Sequence, residues 1–399
     1  MSNILNRYIA KEIITPFFLG LSIFTFIMLM DRLLKLVELV VNKGVKLLEV
    51  INLIIYILPS FFTVTIPMAF LLAVLLAFGR LSSDEEITAA KASGISFMQL
   101  MPPVLIVSLI AFGATLFLSV YALPWGNHSF KTSIFNIVKR KADTGLMPGR
   151  IIDSFAGMVL YITEEDKSRG RFKGIVISEE LKGETGNTII AKEGQIISTP
   201  DDLSVTLRLY NGSIHRAGYK DPLQYKVIKF SVYDITLLMN FGKTQPGSVS
   251  KSDRELTVGE LLEKIEKLKN GGRDYNYLLV EFHKKFSIPF ACIVFALIGA
   301  PLGIQGKRSG KSHGFVISLF LITVYWMFLL AGETLGDRGR IPPFLSMWAP
   351  NIVYLIMGIY FINKVTTESE IKILVIFENM YGYISGAIRG LLKRKPGAV

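Results

Sequence analysis

A chain of 399 residues with 51% apolar and only 19% charged residues falls short of the roughly 25% charge of an ordinary soluble domain. The formal net charge of +12 leaves two classes of anionic partner, nucleic acid or lipid, and only the placement of the charges can decide between them. A single cysteine, Cys292, lies inside an apolar run, which excludes a disulfide framework and a cysteine metal site.

In chain order, Arg7 and Lys11 precede a first uncharged run over 13–30. No small-residue cleavage site closes it, so it is expected to stay as an anchor rather than be removed as a signal peptide. Further uncharged runs follow at 51–79, 92–130, 286–306, 312–332 and 341–363. Each can supply the ~20 apolar residues needed to cross a ~30 Å hydrocarbon layer. Helices are the reading for such runs, since no water is there to satisfy the backbone. A soluble all-helical core is the plain alternative, and six such runs leave it little room.

Between the second and third runs lies the stretch from Gly79 to Gly94. Ser83 with Glu86 three residues later reads as a capping box, and Asp84, Glu85 and Glu86 crowd the first turn. Ala89, Ala90, Ala92 and Ser93 keep the predicted helix slim, and Gly94 can supply a left-handed stop. A short helix with a small-residue surface suits the groove of a partner protein. An ordinary connector is the other reading, and the residues alone leave both open.

The segment 131–280 changes character. Strand-like runs recur at 150–163, 172–180, 188–198, 203–210 and 224–236, separated by turn signals such as Ser168-Arg169-Gly170, Lys182-Gly183, Pro200-Asp201-Asp202 and Asn211-Gly212. Short strands at near-regular spacing predict a sandwich, jelly roll or open barrel. No catalytic constellation stands out: His215 is alone, and Glu164, Glu165, Asp166, Glu179 and Glu180 flank turns as solvated carboxylates do. A linker at 242–253 leads to an amphipathic helix carrying Leu256, Leu261, Leu262, Ile265 and Leu268, ended by Gly271-Gly272.

The loop from Gly303 to Ser312 imitates a phosphate-binding loop, but G-x-x-x-x-G-K-[ST] fails because Gln305 stands where the first glycine is needed. It also joins two apolar runs rather than a strand to a helix. Glu333 with Asp337, Arg338 and Arg340 reads as an interfacial ion pair, with a lateral gate as the alternative. The tail, with a possible amphipathic helix over 371–392 and the basic stretch Arg389 to Lys395, suits an anionic leaflet.

Charge placement sets the orientation. With the N-terminus in the cytoplasm, short cytoplasmic segments hold thirteen Lys and Arg, and the opposite short loops hold six. Both termini are therefore expected inside, with 131–280 outside. Basic residues dispersed on both sides of a membrane argue against nucleic acid.

At this point the residues resemble a known family, the permease subunits of the lipopolysaccharide-export ABC transporter (Lpt). The resemblance rests on Arg7-Tyr8-Ile9 with Pro16-Phe17, and on Gly79-Arg80-Leu81-Ser82 through Ala92-Ser93-Gly94-Ile95-Ser96. Glu281-Phe282-His283-Lys284-Lys285, Ala300-Pro301-Leu302-Gly303 and Met347-Trp348-Ala349-Pro350-Asn351 complete it. It covers essentially the whole chain and leans to the F type of the family's two paralogous subunits.

The resemblance implies six transmembrane helices with an inserted all-β, jelly-roll-like periplasmic domain. The implied divisions are 1–130 (spans one to three, with a coupling helix at 82–94), 131–255 (β domain), 256–364 (connecting helix and spans four to six) and 365–399 (basic tail). It implies a bacterial inner-membrane protein with no cofactor and no catalysis of its own. Its partners would be a cytoplasmic ABC ATPase dimer, a second permease in a heterodimer, periplasmic β-jellyroll bridge proteins and lipopolysaccharide. Ser83, Glu85, Glu86, Ile87, Ala90 and Gly94 would form the coupling helix, and Arg32, Lys35, Lys284 and Lys285 would meet lipid phosphates. Lysine stands at 284 and 285 where the family often has arginine, which keeps charge and loses a bidentate fork. Snorkelling is the plain reading of Arg32 and Lys35.

Two other classes stay in view. A self-contained secondary transporter or channel places ionisable residues at the midplane, where these runs lack Asp and Glu. A mere anchor for a periplasmic interaction domain needs fewer spans.

Overall fold

The computed structural model describes residues 2–41, 45–145, 148–152, 158–166, 170–179, 187–199, 204–217, 225–237, 253–305 and 311–367. The turn signals at Ser168-Arg169, Lys182-Gly183 and Pro200-Asp201-Asp202, most of the 242–253 linker, the loop 306–310 and the tail from 368 lie outside the described residues.

Among those residues the helices are α1 (Ser2–Val41), α2 (Leu47–Ser83), α3 (Glu86–Ala92), α4 (Phe97–Phe117), α5 (Leu123–Gly145), α6 (Val258–Asn270), α7 (Asn276–Gln305), α8 (Lys311–Asp337) and α9 (Pro343–Thr366). A π-helical turn, Leu118–Ala122, joins α4 to α5. Six of the helical segments are long and apolar enough to cross a membrane, one for each run expected from the sequence. Six strands lie between α5 and α6: β1 (Ile151–Ile152), β2 (Met158–Asp166), β3 (Arg171–Glu179), β4 (Asn187–Thr199), β5 (Ser204–Ala217) and β6 (Tyr225–Thr236). The chain divides into two compact units.

The first unit comprises 1–25, 62–117 and 265–399. Its innermost helix is α7, 83% buried over its most apolar stretch. Lipid supplies no hydrophobic drive between helices, so close approach through small residues has to hold such a bundle. A Cβ at Gly299 would press on Val74, one at Gly303 on Phe78, and one at Gly358 of α9 on Leu297. Buried polar groups add direction. Asn351 Nδ2 of α9 donates to the Ser287 carbonyl and Oγ of α7, both at 2.9 Å, and its Oδ1 accepts from Tyr325 of α8 at 3.1 Å. Ser287 in turn donates to the Met347 carbonyl at 2.5 Å. Three helices are thus tied through one asparagine.

The second unit comprises 26–61 and 118–264. Its sheet is antiparallel throughout, in the order β1-β2-β3-β4-β5-β6. The all-β class expected from the sequence is present. The finer jelly-roll description is not confirmed: among the described residues, strands adjacent in sequence are adjacent in the sheet, as in a meander. One face packs on Leu36, Val50, Leu53, Phe135 and Val138 from the helical parts of this unit and on Val45 from the segment before α2.

The sheet carries a crease. Each ladder from β2 to β6 skips one rung, and the skipped residues Thr163, Gly174, Lys192, Asn211 and Ser231 fall in one line across five strands. Gly174 and Asn211 are left-handed there, with φ of 64° and 53°. The inward alternation slips by one residue at this line: Phe172 but then Ile175 and Ile177, Ile189 and Ala191 but then Gly194, Val205, Leu207 and Leu209 but then Ile214. Both sides of the crease therefore face the same core.

The crease corrects the expectation of a turn at Asn211-Gly212. The pair is a kink inside β5, which continues to Ala217, because Phe230 of β6 covers Gly212 and a Cβ there would collide with that ring and the Ile190 carbonyl. The run expected as one strand over 150–163 is two, β1 and β2.

Candidate functional site

The stretch between α2 and α4 folds as a short helix, but not where the capping box places its start. Ser83 closes α2, and its hydroxyl donates to the Arg80 carbonyl at 3.0 Å. Glu85 takes the cap position in left-handed conformation, φ 58°, with no side-chain cap. The reason is local: Arg80 draws Asp84 toward the last turn of α2, at 3.9 Å, and the Asp84 amide still donates to the Arg80 carbonyl at 2.9 Å. The expected stop at Gly94 is present, φ 83°. Its amide donates to the Lys91 carbonyl and that of Ile95 to Ala90, which is a Schellman ending. A capping box does occur elsewhere: Thr257 and Glu260 exchange both bonds at the start of α6.

An arginine-centred network fixes α3 to the bundle. Arg80 Nη2 lies 2.8 Å from Glu12 Oε2 of α1 and donates to the Tyr8 hydroxyl at 2.9 Å. That hydroxyl donates onward to Glu86 Oε1 at 3.0 Å, and Arg80 itself is 3.9 Å from Glu86. Below the network, Leu5, Ile9, Phe78, Leu81, Ile87, Ala90 and Leu100 line a small cleft. Ile87 is buried, Ala90 and Glu86 half-buried, whereas Ser83, Asp84, Glu85, Thr88, Ala89, Ala92, Ser93 and Gly94 are exposed. The helix is gripped by its inner face. Its outer face is acidic at the start and small thereafter.

The four basic candidates divide. Arg32 and Lys35 stand three residues apart in α1, hence on neighbouring positions of one face; Arg32 is exposed, and the Lys35 side chain lies outside the described residues. Lys284 and Lys285 belong to the third turn of α7. Lys284 Nζ donates to Glu333 Oε1 of α8 at 2.6 Å and is 3.5 Å from Glu281. Lys285 is only 5% exposed. Glu333, grouped in the sequence with Asp337, Arg338 and Arg340, reaches across to Lys284 of α7. Helix pairing supplies this partner from 49 residues away. Among the described residues, no three His, Cys, Asp or Glu side chains gather as a metal site.

Residues 7–364 match the family described as lipopolysaccharide export system permease LptF/LptG. The chain belongs to this family. It is similar to the lipopolysaccharide export system permease protein LptF of Escherichia coli K12, 20% identical over 358 residues that cover 89% of this chain and 93% of the relative. The LptF of Shigella flexneri gives the same figures. An uncharacterised Rickettsia prowazekii protein, RP871, is 21% identical over 191 residues, covering 48% of this chain and 52% of its own.

For an LptF/LptG permease, the sequence reading missed three residues that shape the site: Tyr8, Glu12 and Arg80. Arg80 and Tyr8 stand in the sequence only as members of family motifs. The available signal was one arginine followed closely by three carboxylates, Asp84, Glu85 and Glu86. No spacing rule brings Tyr8 and Glu12 to it across 70 residues.

Proposed function

We propose that this LptF/LptG-family chain is the non-catalytic permease subunit of an ABC transporter that extracts lipopolysaccharide from the bacterial inner membrane. ATP hydrolysis in a separate cytoplasmic ATPase dimer drives it. A second, paralogous permease completes a heterodimer, both termini are cytoplasmic, and the β domain lies in the periplasm, where it passes lipid to bridge proteins of similar β domains.

The observation that supports this best is α3, held from within by Ile87, Ala90 and Glu86 and offering a small, acid-tipped outer face. Such a surface can fit a groove with a basic rim, and force on it passes through Arg80 to α1 and α2. Arg32, Lys35, Lys284 and Lys285 are the proposed contacts for lipid phosphates, through charge-assisted hydrogen bonds at headgroup depth.

The test is to purify the tagged chain from its native membranes in mild detergent and identify what accompanies it by mass spectrometry. A soluble ATPase, a second six-span permease and lipopolysaccharide are expected. Glu85→Lys, which reverses charge on the exposed tip, should deplete the ATPase at least about tenfold, equivalent to ~1.4 kcal/mol, and leave the second permease in place. Recovery of the chain alone, from a sample that keeps other ABC complexes intact, would overturn the reading. A self-contained secondary transporter draws on one observation, the ionisable pair Lys284 and Glu333 between α7 and α8. It requires transport in vesicles without ATP.

A further inference from the structure

From Gly314 to Gly332, α8 carries no charged side chain, and Glu333 is its first carboxylate. Glycine packing sets where that carboxylate stands. A Cβ at Gly332 or Gly336 would collide with Ser346 of α9, and one at Gly336 also with Val280 of α7. This end of α8 is therefore seated against both neighbours and cannot swing away without breaking close contacts. Glu333 meets Lys284 at 2.6 Å, with side chains 14% and 15% exposed, and Glu281 approaches the same ammonium at 3.5 Å.

An ammonium so held is already neutralised. A phosphate that reaches it must compete with a fixed carboxylate and suffers its repulsion once bound. Resting on the reading of Lys284 as a lipid-phosphate contact, we propose that Glu333 is a resident counter-ion that exchanges with the lipid's phosphate on Lys284 and keeps the lipid releasable. The physical case is that a transport site must bind strongly enough to load and weakly enough to unload. Lysine alone in a partly dry bundle would favour loading. A carboxylate waiting at hydrogen-bond distance reclaims the ammonium as the phosphate leaves, so departure leaves no unpaired charge behind.

The test is equilibrium binding of bisphosphorylated lipid A to the full chain, purified from native membranes with the subunits that accompany it. Glu333→Gln keeps the shape and removes the charge. It should bind the probe about fivefold more tightly, ~1 kcal/mol, with slower release. Lys284→Ala should bind more weakly, and adding Glu333→Gln to it should give no gain. A simple interhelical staple predicts lost thermal stability and unchanged or weaker binding, so that result in a folded Glu333→Gln protein overturns the proposal. If the glutamine variant does not fold, Glu333→Asp, which retracts the carboxylate, should still tighten binding, and no tightening overturns it equally. If wild type and Lys284→Ala bind lipid A alike, the lipid-contact reading itself fails. If only the Glu333 variants are neutral, the counter-ion alone is wrong.

Discussion

At the scale of single residues, Arg80 carries more structure than its sequence context discloses. One nitrogen, Nη2, serves Glu12 and the Tyr8 hydroxyl together, and the length and breadth of the guanidinium bring the same side chain within 3.9 Å of Asp84 and of Glu86. Arg80→Lys and Tyr8→Phe should each loosen α3 by about 1 kcal/mol, an estimate reduced for the partial exposure of the network. A spin label at exposed Ala89 checks this: its spectrum should sharpen in both variants and stay unchanged in a control at exposed Ala92→Ser. Gly94 is the converse case, legible from sequence because a left-handed helix stop admits few residues. Gly94→Ala should cost about 1 kcal/mol and unravel the last turn of α3, seen as faster amide exchange at Ser93 and Ile95. Glu85, also left-handed, was not legible as such. Nothing in Asp-Glu-Glu says which acid will take the strained place, since that follows from α2 running on to Ser83.

At the scale of elements, the six apolar runs and the strand-rich insert could be read directly, because lipid and a half-buried sheet each impose a length or a period on sequence. What could not be read depended on neighbours. The pattern at Ser83 and Glu86 reads as a capping box, but the continuation of α2 through Ser83, with Asp84 bonded back to Arg80, overrides it, while the box that forms is at Thr257 and Glu260. Asn211-Gly212 signals a turn in isolation, and only the Phe230 ring across the ladder makes it a kink.

Pairing of β5 with β6 also has an electrostatic part. Arg208 forks onto Asp234 with two bonds of 2.8 Å and holds its carboxyl below the usual carboxylate range, and the pair raises the arginine further. A lowered carboxylate stabilises the fold fully above its unfolded value of ~3.9 and loses that contribution as pH falls through the folded value. Amide exchange in β6 should therefore accelerate below about pH 4 beyond its intrinsic trend. Asp234→Asn should remove that excess. The effect is small, because both side chains are substantially exposed.

At the scale of the whole molecule, a bundle without hydrophobic drive among its helices depends on glycine contacts and a few buried polar bonds. Asn351 joins α7 to α8 and α9, and Asn351→Leu leaves the Tyr325 hydroxyl without this acceptor. A loss of about 1 kcal/mol and a lower melting temperature in detergent are expected, with no change in β-domain exchange. The motif Met347-Trp348-Ala349-Pro350-Asn351 was legible as a family signature, but its physical work, a junction of three helices, was not.

The crease across β2 to β6 bears on how this sheet can change over evolutionary time. Each strand is read in two halves whose facing is set by counting residues from the crease. Loss of one residue from a half-strand would turn its apolar side chains outward while its partners stayed in place. Two-residue changes preserve parity, so strand halves can lengthen or shorten only by even steps, and odd-numbered changes are confined to the connecting turns. Descendants of this sheet should therefore differ freely in their loops yet keep the same parity on either side of Gly174 and Asn211.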